Sequence, residues 1–74
     1  MQTVYVKLPT PDTVQDFVER LGDLQGQFDL VHGRYILDAR SLMGIFSLDL
    51  AQPLELRVHN DTKENMNALR PFLA

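Results

Sequence analysis

The spacing between apolar residues switches repeatedly between two and three-to-four along this chain. Each switch forces a change of secondary structure. Val4, Val6 and Leu8 alternate with Tyr5 and Lys7, which predicts a strand over Thr3–Leu8. The Pro-Thr-Pro-Asp-Thr run that follows breaks it. Thr10 or Thr13 is a suitable helix cap, and Pro11 after Thr10 fits the first helical position. Val14, Phe17, Val18, Leu21 and Leu24 then fall on one helical face, and Gly26 is a reasonable stop. A second strand is predicted over Phe28–Val31, with Gly33 turning the chain into a hairpin partner over Tyr35–Ala39. Ser41 opens a short helix through about Leu48, with Asp49 at its end. Leu54–Val58 alternates again after Pro53. Asp61 or Thr62 caps a last helix with Met66, Leu69 and Phe72 inward; Asp61 and Glu64 have the spacing of a capping box, and Pro71 ends or kinks the helix. The order is βαββαβα. It predicts one α+β domain over residues 1–74, with a mostly antiparallel sheet and helices packed on one face.

Composition narrows the function classes. With 74 residues and no cysteine, the chain has no disulfide framework, thiolate metal site or cysteine nucleophile, and it suits a reducing cytosol. Two histidines, not near each other in sequence, make a histidine-based metal site unexpected. A net charge of −3 argues against a nucleic-acid binder, which needs a basic face to displace counterions from phosphates. The N-terminal residues lack the basic and apolar regions of a signal peptide, and no apolar run approaches the roughly 18 residues of a membrane span. A cytoplasmic protein is expected. No nucleophile, base and orienting group can be named together, and no glycine-rich phosphate loop is present, so an enzyme is not expected, nor a cofactor.

The segment RSLMGIFSLDL (residues 40–50) is unusually apolar for a short helix. Ile45 and Leu48 share one face by spacing, with Leu50 beyond the helix end. A short helix on a sheet buries one face only, so Leu42, Met43 and Phe46 cannot all be inward as well. The Ser41 hydroxyl can satisfy an orphan backbone amide of this helix, and removing such a cap costs about 1 kcal/mol.

Together with the order of elements, the stretch ARSLMGIFSLDLAQPLELRV, Ala39–Val58, resembles the phosphocarrier protein HPr family of the bacterial phosphotransferase system. The departures are Phe46, where methionine is usual, and Asp49, where glycine is usual. The resemblance implies an open-faced β-sandwich of four antiparallel strands with three helices over one face. An active phosphocarrier begins its first helix with a G-x-H-A-R-P-A pattern. Here Thr10 stands where the phosphocarrier histidine would be and Asp12 where the arginine would be, within the segment LPTPDTVQ. His32 and His59 lie away from any predicted helix start and read as surface residues. Thr10 and Thr13 read as caps.

In the HPr proteins of Gram-positive bacteria the serine matching Ser41 is phosphorylated by a dedicated kinase, and the product is a corepressor with the catabolite control repressor. In the same family the residues matching Leu42, Met43 and Phe46 form an apolar docking patch for partners. The resemblance therefore implies a regulatory HPr-like protein, similar to the catabolite-repression HPr-like protein in lacking the histidine. Ser41 would be its candidate phosphorylation site. Its expected partners are HPr kinase, the catabolite control repressor or other phosphotransferase-system components, and the chain itself is a monomer or homodimer. The alternative is a divergent interaction module that keeps the fold but has left sugar transport.

Overall fold

In a computed structural model describing residues 1–74, each switch of period becomes an element. Strand β1 is Gln2–Val6, helix α1 Pro11–Gly22, strands β2 and β3 Phe28–His32 and Tyr35–Asp38, helix α2 Leu42–Phe46, strand β4 Leu54–Val58 and helix α3 Lys63–Leu69. A 3-10 turn over Arg70–Phe72 follows α3 at Pro71. All strand pairs are antiparallel, in the order β1-β4-β2-β3. This four-stranded open sheet with three helices is the open-faced βαββαβα sandwich that the resemblance implied. No helix is long and apolar enough to cross a membrane.

Several ends differ from the sequence expectation, each set by local hydrogen bonds. β1 stops at Val6, paired with Leu54 next to Pro53, and on the edge away from β4 the Lys7 amide donates to the Phe72 carbonyl at 2.8 Å. α1 stops at Gly22 and not near Gly26, with the Asp23 and Leu24 amides closing its last turn on Arg20 and Leu21. β3 stops at Asp38, whose carbonyl accepts from the Ser41 amide while its Oδ1 accepts from the Arg40 amide. α2 ends at Phe46 rather than Leu48, because Ser47 Oγ donates to the Gly44 carbonyl at 2.6 Å. Thr62, not Asp61, caps α3, accepting from the Asn65 amide through Oγ1. The β2–β3 turn uses Gly33 at a φ of 60°, where a side chain would be strained.

The core follows from strand alternation. Val6, Phe28, Leu30, Leu54, Leu56 and Val58 point from the sheet toward the helices and are fully or almost fully buried. Val14, Phe17, Leu21, Ile45 and Leu69 meet them from α1, α2 and α3. Phe17 and Phe72 pack edge-to-face with ring centroids 5.3 Å apart, a favoured aromatic geometry. Met66, expected inward, is only partly buried. Its neighbour Asn65 is the buried residue, donating from Nδ2 to the carbonyls of Gln25 and Asn60 at 2.9 and 2.8 Å. Those two loop carbonyls turn inward beneath α3 and require a donor that an apolar side chain does not supply.

Arg40 joins the two halves of the chain. Its guanidinium donates to the carbonyls of Leu21 (3.1 Å), Leu24 (2.8 Å) and Gly26 (2.9 Å), and it lies 5.0 Å over the Phe28 ring. These carbonyls belong to the C-terminal end of α1 and the loop after it, where orphan acceptors and the negative end of the helix dipole collect. Arg40→Ala should lower stability by about 2–3 kcal/mol, from the loss of hydrogen bonds to a charged donor. Arg40→Lys should recover only part, because an ammonium lacks the planar fork that spans three carbonyls. Urea denaturation with an unchanged slope is the measurement.

Candidate functional site

Ser41 is exposed and in extended conformation, and its Oγ accepts from the Gly44 amide at 3.2 Å. Its carbonyl accepts from Ile45 at 2.9 Å, which closes the first turn of α2. The cap works because position 44 is glycine: a Cβ there would lie 2.8 Å from Ser41 Oγ and 3.2 Å from Leu37 Cδ1. The helix therefore sits tightly on β3 with its capping hydroxyl pressed against its own second turn.

Of α2, only Ile45 is fully buried. Met43 is 80% and Phe46 40% exposed, as expected for residues off the inward face. Leu42 departs from the other two. It is half-buried against the core and lines a shallow hollow of about 220 Å³ with Gln15, Val18 and Glu19, because the start of α2 leans on α1. Leu48 and Leu50 are likewise only partly buried. The free apolar surface is thus Met43 and Phe46, and sequence periodicity did not reveal what lies beside them. An open hollow of about 460 Å³ runs between β3 and the end of α2, lined by His32, Tyr35, Ile36, Leu37, Ser47 and Leu48. Tyr35 and Ile36 are themselves 68% and 61% exposed. The sequence signal for them was present but unused: a four-residue strand with bulky apolar side chains on both faces.

At the start of α1, Thr10 Oγ1 accepts from the Thr13 amide at 3.1 Å and lies 2.8 Å from Thr13 Oγ1, so both threonines are bound up in the cap. Asp12 occupies the first helical turn. His59, just past β4, is not a bare surface residue: its Nε2 lies 2.7 Å from Asp29 Oδ2. His32 ends β2 and is half-buried in the wall of the hollow described above. Arg40, adjacent to Ser41, directs its guanidinium onto three carbonyls of α1 and its loop. No group of three or more histidine, cysteine, aspartate or glutamate side chains is placed to hold a metal.

Compared with family models, with curated proteins and with solved structures, the chain matches none. The site rests on its own geometry: an exposed, capping hydroxyl at one end of α2, and exposed sulfur-bearing and aromatic side chains along it.

Two substitutions test this geometry. Gly44→Ala should bring none of the roughly 1 kcal/mol that replacing a helical glycine usually contributes, because the new Cβ displaces a cap of similar value. In a Ser41→Ala chain, which has no cap to lose, the same change should be more favourable; denaturation of the four chains measures the coupling. Phe46→Ala should cost less than about 1 kcal/mol, as an exposed residue, whereas Ile45→Ala should cost roughly 2–5 kcal/mol.

Proposed function

We propose that this chain is a regulatory, protein-binding member of the HPr type, acting in the cytoplasm without phosphocarrier or other enzymatic activity. The observation that carries this reading is the pairing of an exposed Ser41 hydroxyl with exposed Met43 and Phe46 on one short helix. Contiguous exposed apolar surface marks interfaces, and methionine and aromatics suit them. Thr10 in the α1 cap supplies no imidazole to carry a transferable phosphoryl group. On this reading, HPr kinase modifies Ser41, and the modified helix docks a partner such as the catabolite control repressor or another phosphotransferase-system protein. A phosphate there meets unpaired amides of the first turn and the positive end of the helix dipole, so the fold tolerates it.

A second reading has its own support. With Arg40 bound to three carbonyls, its guanidinium is held on the α1 end and would have to leave those carbonyls to pair with a Ser41 phosphate. This favours a divergent interaction module that uses Met43 and Phe46 without serine modification.

Incubation with HPr kinase and ATP separates the two readings. Intact-mass analysis should show one added phosphate on the folded wild-type chain and none on Ser41→Ala. A labelled authentic HPr beside an unlabelled sample of this chain would leave Ser41 as a cap alone and favour the second reading. Ser41→Asp, which keeps a capping oxygen, controls for lost stability. Incubation with phosphoenolpyruvate and enzyme I should leave no acid-labile phosphate on the protein.

A further inference from the structure

The two edges of the sheet are finished differently. Beyond β1, C-terminal residues cover the edge: Leu73 bridges Val6, the Lys7 amide donates to Phe72, and the Ala74 amide donates to the Tyr5 carbonyl. β3 forms the opposite edge, and no element pairs with its outer side. The Ala39 amide donates inward to Phe28 at 2.9 Å. Backbone groups alternate along a strand, so those of Tyr35 and Leu37 also face β2, while the N–H and C=O of Ile36 face outward. Proteins usually blunt such an edge with lysine, proline, a bulge or a covering loop. This one has no lysine or proline and instead exposes Tyr35 and Ile36.

We propose that a second copy of this chain pairs on this edge, β3 against β3, antiparallel about a twofold axis at Ile36, to give one continuous sheet through both copies. The register follows from face and charge. Directly opposite residues of an antiparallel pair share a face, so a residue can oppose only positions of its own parity. Centring on Ile36 sets Ile36 opposite Ile36 and Tyr35 opposite Leu37, and brings Arg34, the turn residue before β3, beside Asp38. It also makes the Ile36 pair hydrogen-bonded, which uses the two backbone groups that face outward. The neighbouring register, centred on Leu37, would set Ile36 against Asp38 and Arg34 against Arg40, matching apolar with carboxylate and like charge with like.

The charges are available for this pairing. None of the chain's three ion pairs includes Arg34 or Asp38. Asp38 stands directly across from Asp29 on β2. Asp29 Oδ2 lies 2.7 Å from His59 Nε2 and accepts from Gln27, whereas Asp38 accepts only from the Arg40 amide through Oδ1. Like charges directly opposed are unfavourable, and Arg34 of the second copy would supply the missing cation. A twofold axis makes this pair twice, so each copy offers one unpaired cation, in the turn just before β3, and one unpaired carboxylate, at the last residue of β3. On the helix side, Tyr35 of each copy comes opposite Leu37 of the other, at the mouth of the hollow between β3 and α2. Two four-residue strands bury less than the roughly 1,600 Å² of a standard interface, so the dimer forms at high protein concentration and exchanges quickly.

Analytical ultracentrifugation of the intact chain over a concentration series is the test. The wild type should move from 8.5 kDa toward twice that mass as concentration rises. Arg34→Asp and Asp38→Arg should each shift the midpoint to at least tenfold higher concentration, and the double charge exchange should restore it. Ile36→Lys, which puts two cations on the axis, should abolish dimerisation. Asp38→Arg also removes an acceptor for the Arg40 amide, so circular dichroism follows the fold of every variant, and Arg34→Asp, which touches no such bond, decides if Asp38→Arg unfolds. A wild type that stays monomeric to its solubility limit overturns the proposal. So does a dimer indifferent to Arg34→Asp, or a folded double exchange that fails to restore association.

Discussion

The Arg40 guanidinium is the contact on which the arrangement of the two halves depends. It links the turn between β3 and α2 to the end of α1 and the loop into β2, through three carbonyls and the face of Phe28. Arginine suits this role because its donors lie in a rigid plane and its charge persists at any physiological pH. The carbonyls are orphan acceptors at a helix end, which would otherwise need water or a cap of their own. Because Ser41 is the next residue, this anchor also fixes where α2 begins. The same three bonds hold the Arg40 side chain on the α1 end and its loop, although Ser41 is the next residue.

Around that anchor the domain solves the problem of having one layer of helices for a two-faced sheet. The helix-facing residues alternate into a single core of fourteen buried apolar side chains, as a small domain with marginal burial requires. The opposite face is left to water. There Arg57 pairs with Glu55 at 2.9 Å and His59 with Asp29, while Tyr5, Val31 and Ile36 share a register row with Glu55. That mixture keeps the bare face from being a continuous apolar patch. Only toward β3, where the row ends in Ile36 and the helix side ends in Tyr35, does apolar surface meet an unpaired strand edge.

α2 is the least self-sufficient element. Five residues cannot form a stable helix alone, because the cost of nucleating the first turn is not recovered over so few bonds. Ser41 and Ser47 close its ends, Ile45 ties it to the core, and the absence of a side chain at Gly44 lets it settle against Leu37. With so little buried, Met43 and Phe46 are presented outward on a helix held by its two ends. On the proposed reading, an exposed apolar pair on a capped turn would meet a partner at little ordering cost.

The sequence by itself determined the order of elements and nearly every inward residue. Apolar period is a local property, and burial of a marked face leaves few alternatives. It also determined that Ser41 caps a helix and that Leu42, Met43 and Phe46 cannot all lie on its buried face, since capping and helical spacing act within one turn. Tertiary structure alone decided the rest. Leu42 became half-buried because α1 happens to lie beside it, and Asn65 displaced Met66 because two distant carbonyls converge beneath α3. The direction of Arg40, the partner of His59 and the bare edge of β3 are likewise long-range results. Each depends on which acceptor, carboxylate or strand the folded chain brings alongside, over separations of up to thirty residues for His59 and Asp29. No periodicity records such meetings, because they arise only when the sheet order has been chosen.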